Sequence, residues 1–94
     1  MKEKYLIESI KAYLKSVDDL FFFKEHGGQY GTGGIPDLIA CYRGRFIAFE
    51  AKAEKCKTTV LQEITIRKIN KAGGYATVVR SVEDVKAVIE SLRR

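Results

Sequence analysis

Asp37, Glu50 and Lys52 are the residues of this chain whose types and spacing could do chemistry. They lie at the outer ends of two apolar runs, IPDLIACY and RFIAFEAK, separated by Arg43-Gly44. Two such runs around a two-residue turn ending in glycine predict a β-hairpin. Arg-Gly is a poorer turn pair than Asn-Gly, so the turn type stays open. Counting outward, Tyr42 faces Arg45, Cys41 faces Phe46, Ala40 faces Ile47, Ile39 faces Ala48, Leu38 faces Phe49 and Asp37 faces Glu50. Opposed residues of antiparallel strands carry side chains about 5 Å apart on one face. Side chains alternate along a strand, so Lys52 shares the Glu50 face with Ile39, Cys41, Phe46 and Ala48. Two carboxylates and an ammonium thus gather at one end of an otherwise apolar sheet face.

Two acids so placed repel each other unless a cation lies between them. Hard carboxylate oxygens suit Mg²⁺, which takes few protein ligands and keeps several waters. Such an ion lowers the pKa of a water and neutralises charge building on a phosphoryl group. Lys52 is near enough to orient that water or steady the transition state. Phosphodiester hydrolysis is the chemistry these residues allow. A hairpin with an ordinary ion pair, Asp37 or Glu50 to Lys52, accounts for the same three residues at little energetic consequence. The flanking sequence separates the two readings.

The elements that must position the hairpin follow from periodicity. Leu6, Ile10, Tyr13, Leu14 and Val17 recur every three or four residues, predicting a first helix that stops at Asp18-Asp19. Residues 20–25 (LFFFKE) read as a strand. The stretch 26–34 (HGGQYGTGG) is a loop that holds five of the eight glycines. It lacks the G-x-x-x-x-G-K-[ST] phosphate-loop pattern. Its glycines could let a nucleic-acid backbone approach or simply make tight turns. After the hairpin comes a polar, basic connection over 55–59. A helix over 60–71 stops at Ala72-Gly73-Gly74. A β-branched strand over 75–80 follows, then a helix capped by Ser81 and lined by Val85, Val88, Ile89 and Leu92. The predicted order is αβββαβα, an α/β domain with helices packed on a central sheet.

A length of 94 residues predicts one domain, 1–94. Apolar residues make up 46% and charged residues 31%, the balance of a folded globular protein. No apolar run approaches membrane-spanning length, and the charged, amphipathic N-terminus is unlike a signal peptide. Cys41 and Cys56 lack metal-ligand spacing and make no disulfide framework, which predicts reduced thiols in an intracellular protein. The net charge of +5 favours a polyanionic partner, although solvated lysines give the same total.

Ile35-Pro36-Asp37, twelve intervening positions, and Glu50-Ala51-Lys52 match the PD-(D/E)xK nuclease pattern. More narrowly, the chain resembles the VRR-NUC (virus-type replication-repair nuclease) family, in particular its small stand-alone phage forms. The resemblance covers nearly the whole chain: the helix beginning at Glu3, FFFKEHGG, GTGGIPDLI, GRFIAFEAK, Thr59 to Gln62, and AGG before a strand. It implies a restriction-endonuclease-like αβββαβ core, with a mixed central sheet flanked by helices, plus a C-terminal helix. It also implies that Asp37 and Glu50 bind metal through side chains, that Ala51 binds through its backbone carbonyl, and that Lys52 is the catalytic lysine. The cofactor so implied is Mg²⁺, with Mn²⁺ substituting, and no small-molecule cofactor.

The family pattern carries two further site residues. One is a glutamate on the first helix, and this chain offers Glu3 and Glu8. Glu3 lies on the apolar side, three, four and seven residues before Leu6, Ile7 and Ile10. Glu8 is flanked by Lys4, Lys11 and Lys15, a solvated face. Glu3 is therefore the candidate, with a favourable charge at a helix N-terminus as its other reading. The second is Gln62. Thr59-x-x-Gln62 is also a capping box, yet Gln62 aligns with Ile66 and Ile69, and a polar residue on an inward stripe needs a partner. Lys24, His26, Lys55 and Lys57 are candidate nucleic-acid contacts, against a snorkelling lysine, a lone histidine and a charged solvated face. The partner implied is DNA, branched more than linear, since small relatives of this type act as homodimers on four-way (Holliday) junctions. If the chain is phage-encoded, its compartment is the cytoplasm of a bacterial host.

Overall fold

The computed structural model describes residues 2–26 and 33–93, so the readings of the glycine stretch over 27–32 lie outside the described residues. The order is α1 (Glu3–Lys15), β1 (Leu20–Lys24), β2 (Leu38–Tyr42), β3 (Arg45–Ala51), α2 (Val60–Lys71), β4 (Tyr75–Val79) and α3 (Val82–Leu92). This is the αβββαβα order expected. The four strands form one sheet in the order β1-β2-β3-β4. β1 pairs antiparallel with β2 and β2 with β3, and β4 lies parallel to β3. The sheet is therefore mixed, with α2 making the crossover that a parallel neighbour requires.

The hairpin register is the one counted from the sequence, from Tyr42↔Arg45 to Leu38↔Phe49. Arg43 and Gly44 have φ of 52° and 84°. Two positive φ values make a type I′ turn, whose twist suits the flanking strands and fixes the pairing. The turn left open by the sequence is thus of the commonest hairpin kind, with arginine accepting the left-handed conformation. The ladder stops one residue earlier than counted. Asp37 precedes β2, and no Asp37↔Glu50 pair extends it. Pro36 has no N–H to continue the ladder, and the Asp37 carboxylate takes the Ala51 N–H in its place, at 2.9 Å.

The two faces of the sheet are unlike. Leu38, Ala40, Tyr42, Ile47, Phe49, Ala51 and Val79 form one core with Leu6, Ile7, Ile10 and Leu14 of α1 and Val85, Val88 and Ile89 of α3. Each of the large side chains contributes about 1.5–3 kcal/mol by leaving water. The α1 stripe is as expected, except that α1 ends at Lys15 and Val17 packs from beyond it. The opposite face carries α2. Asn70 anchors this helix by bonding both backbone groups of Ala76, Nδ2 to the carbonyl at 3.0 Å and Oδ1 from the N–H at 2.8 Å. It acts on edge strand β4 as a neighbouring strand would. Because β3 is central and covered from both sides, its residues from Ile47 to Ala51 are all buried. Glu50 is among them.

Candidate metal centre

Glu50 is 2% exposed, the one buried charged residue among those described. It lies on the α2 face of β3 with Ala48 behind it. Asp37 reaches it from the end of β2, and Glu3 from the first turn of α1. One oxygen of each of the three carboxylates lies within 4.8 Å of the other two. Glu3, and not Glu8, is thus the α1 glutamate at the cluster; Glu8 instead pairs with Lys11 at 3.2 Å. Asp37 is held twice: its carboxylate accepts the Ala51 N–H, and its carbonyl accepts the Glu25 N–H at 2.8 Å.

Gln62 makes the capping contact and also has the inward partner that the sequence set beside it as an alternative. Its backbone N–H donates to the Thr59 hydroxyl at 3.1 Å, and its Oε1 accepts the Thr59 N–H at 2.9 Å, the complete capping box. With the oxygen committed there, the amide nitrogen faces the sheet and donates to Glu50 Oε2 at 3.0 Å. An amide has separate donor and acceptor ends, so one side chain does both. The Thr59 peptide group, which sequence analysis read only as a cap, therefore fixes which end of Gln62 meets Glu50. Lys52 completes the group, its ammonium 3.7 Å from the same Oε2 and its side chain 13% exposed.

Electrostatics follow from this crowding. Burial pushes the Glu50 carboxyl up to about 7, and the charges of Asp37 and Glu3 add to the rise while Lys52 opposes it. One ammonium and one amide do not balance three acids. The donor set is all hard oxygen, from three carboxylates on three elements, which is the chemistry that a small divalent cation of the Mg²⁺ type takes.

Among the described residues none of the candidate nucleic-acid contacts has an ion pair or side-chain hydrogen bond to the three carboxylates. Lys24 falls on the α1 face of β1, and its ammonium donates to the Glu25 carbonyl at 3.1 Å. His26 is exposed beyond β1, and Lys55 and Lys57 are exposed on the connection from β3 to α2. Sequence analysis missed Asn70, whose hold on β4 fixes α2 and with it Gln62. A polar residue following the Ile66 and Ile69 stripe was the only signal. It also missed Arg80, which donates to the Ala53 carbonyl at 2.8 Å and ties down the chain just beyond Lys52.

No protein-family model and no curated protein matches the sequence. Solved structures do. One described as a "VRR_NUC domain" is 26% identical, with a TM-score of 0.77 over 94% of each chain. Another, a "VRR_NUC domain protein", is 20% identical, with a TM-score of 0.73 over 96% of this chain and 86% of that one. The second likeness is one of fold. The chain therefore shares the VRR-NUC fold over nearly its whole length, the family that its PD…ExK residues and their setting resemble.

Proposed function

We propose that this chain is a divalent-metal-dependent endonuclease that hydrolyses phosphodiester bonds in DNA. The observation that carries the reading is the meeting of Glu3, Asp37 and Glu50 within 4.8 Å, with Lys52 and Gln62 both directed at Glu50. The likeness to a VRR-NUC domain supports a nuclease-type function. In this reading Asp37, Glu50 and Glu3, with the Ala51 carbonyl, hold Mg²⁺ or Mn²⁺. Bound there, the ion supplies positive charge against the scissile phosphate and acidifies an attacking water. The chain's own residues prepare the place. The Ala51 N–H orients the Asp37 carboxylate, and Gln62 fixes one oxygen of Glu50. Lys52, screened from water, presents its ammonium to the reacting phosphate and favours charge developing there.

The substrate in this reading is branched DNA, four-way junctions above all, cut by a homodimer that presents two sites. Lys55, Lys57 and His26 lie on connections where a strand of DNA would pass, and serve as backbone contacts. The experiment is cleavage of four-way junctions, flaps and linear duplex with and without Mg²⁺. Preferred, Mg²⁺-dependent cleavage of junctions supports the reading. Preferred cleavage of flaps replaces the substrate and keeps the chemistry. Binding without cleavage under every metal makes the chain a basic nucleic-acid-binding module.

A further inference from the structure

At the end of the sheet remote from the carboxylates, the last turns of α1 and α3 and the hairpin turn surround a cavity of about 520 Å³. Five of its lining side chains are hydrogen-bond donors: Tyr13 of α1, Tyr42 of β2, Arg43 of the turn, Lys86 of α3 and Arg93 just beyond it. Tyr42 is 2% exposed. Its hydroxyl accepts the Arg93 Nε–H at 3.4 Å, and among the described residues nothing accepts the hydroxyl's own proton. Burial pushes the Tyr13 phenol above its ordinary value of 10.0, Arg93 opposing, so it too keeps its proton at neutral pH. Arg43 and Lys86 are exposed, and among the described residues neither forms an ion pair. Each lies over a ring instead, Arg43 5.6 Å from the centroid of Tyr42 and Lys86 5.5 Å from that of Tyr13. Arg43 also donates to the Arg93 carbonyl at 3.0 Å. Its φ of 52° is one that favours asparagine or glycine in this turn; what arginine adds there is a cation reaching the cavity.

We infer that this cavity binds a phosphate group, held by Arg43, Lys86 and Arg93 with the Tyr13 and Tyr42 hydroxyls. Two acids also line it. Glu90 is occupied by Arg93, at 3.0 Å, and Asp18 is one charge against the unpaired Arg43 and Lys86. The shape of the donor set selects the ligand. One guanidinium fork satisfies a planar carboxylate, whereas donors arriving from α1, β2, the turn and α3 suit the tetrahedral oxygens of phosphate. The volume lies within the roughly 300–1,000 Å³ of small-ligand sites, enough for a phosphate and the sugar that carries it. The place is separate from the carboxylates. Tyr42 follows Asp37 by roughly 17 Å at the rise of a strand, and Tyr13 follows Glu3 by about 15 Å at the rise of a helix. At about 3.4 Å per phosphate along one strand of a duplex, that separation is about four or five phosphates, so one DNA molecule spans both. A DNA backbone is the source that the nuclease reading above supplies, and the inference rests on that reading for its source alone. A free phosphate ester offers the same chemistry.

The test uses the intact chain in chelator. In NMR of isotope-labelled protein, inorganic phosphate should shift the Arg43 and Arg93 side-chain Nε–H signals along a saturating curve, and sodium chloride at equal ionic strength should not. Lys86→Gln and Tyr13→Phe should each weaken that binding several-fold. Lys11→Gln makes the same change of charge as Lys86→Gln on α1, where Lys11 pairs with Glu8, and should leave it unaltered. Circular dichroism checks that each variant is folded; Tyr13→Phe removes a single oxygen. The second arm measures binding of a labelled oligonucleotide across salt concentrations. Lys86→Gln should lower the log–log slope by about one, and Lys11→Gln should not. Phosphate binding with an unchanged slope keeps the cavity and overturns DNA as its source. No shift with phosphate, an equal shift with chloride, or undiminished binding in both Lys86→Gln and Tyr13→Phe overturns the site. An unaltered protein that binds phosphate here but no DNA overturns the nuclease reading and leaves the cavity standing.

Discussion

At the scale of single residues, the cluster is built against its own electrostatics. A carboxyl pushed up to about 7 in the folded chain, from an ordinary value of 4.5, binds its proton more tightly when folded than when unfolded. Stability then falls as pH rises, because above pH 4.5 the unfolded chain releases a proton that the folded one retains until about 7. Without metal, the protein should lose on the order of 2–3 kcal/mol between pH 5 and pH 8 from this group. Glu50→Gln should flatten that slope and raise the melting temperature at pH 8, as read by calorimetry in chelator. An unchanged slope would mean that Glu50 is not the strained group. Added Mg²⁺ should reverse the loss at pH 8 for the unaltered protein and do little for Glu50→Gln.

Gln62 gives a second test at this scale. Gln62→Ala removes a capping contact, at a cost of about 1 kcal/mol, and also frees Glu50 Oε2. Cleavage should fall by much more than that stability loss explains, and metal affinity should fall with it. Cleavage unchanged at a temperature where the variant is fully folded would leave Gln62 a cap and nothing more.

At the scale of elements, the hairpin, α1 and α2 bring their residues together through local rules that the sequence displays. The pairing from Tyr42↔Arg45 to Leu38↔Phe49 was readable because one face had to be apolar and a slip of one residue would invert it. Glu3 was separable from Glu8 because helical spacing puts only one of them on the buried side. What the sequence could not display were contacts set by tertiary placement. Examples are the Asn70 clamp on Ala76, the Ala51 N–H given to Asp37, and the two-ended use of Gln62. Each requires knowing which backbone groups two separate elements leave unpaired. Lys24 shows the converse: its parity with Leu20 and Phe22 was visible and put it on the α1 face, away from the cluster.

Gly34 joins these elements. Its φ of +79° is a left-handed conformation, and a Cβ there would lie 2.8 Å from both Leu61 Cγ and the Leu61 carbonyl and 2.9 Å from Thr65 Oγ1. The segment leading into Asp37 therefore packs directly on the first turns of α2. Gly34→Ala should push the two apart, with a cost on the order of 1–3 kcal/mol and a loss of cleavage larger than that of a distant variant of equal stability. Gly44→Ala is the comparison, also left-handed but with nothing within 4 Å of the added carbon. Equal cleavage by the two would show that the Asp37 segment does not depend on α2.

At the scale of the whole molecule, one end of a mixed sheet carries three acids while the chain as a whole is basic, at +5. DNA binding should therefore fall linearly with salt on a log–log plot and persist without metal. Calcium, larger and less strict in coordination, should support binding with little cleavage. A salt-independent affinity would make the lysines solubilising charge only. Among the described residues no helix is long and apolar enough to cross a membrane, and the exposed large apolar side chains are divided between the sheet (Phe21, Phe23, Phe46), α2 (Val60, Leu61, Ile64) and α1 (Tyr5).

The most direct test of the central claim is nicking of supercoiled plasmid by the purified protein and by Asp37→Asn, with Mg²⁺ and with chelator. Asparagine keeps an acceptor for the Ala51 N–H and removes the charge, so the fold stands and only metal binding is impaired. The account predicts Mg²⁺-dependent nicking by the unaltered chain and its loss in Asp37→Asn. Nicking by Asp37→Asn at a comparable, Mg²⁺-dependent rate would contradict it.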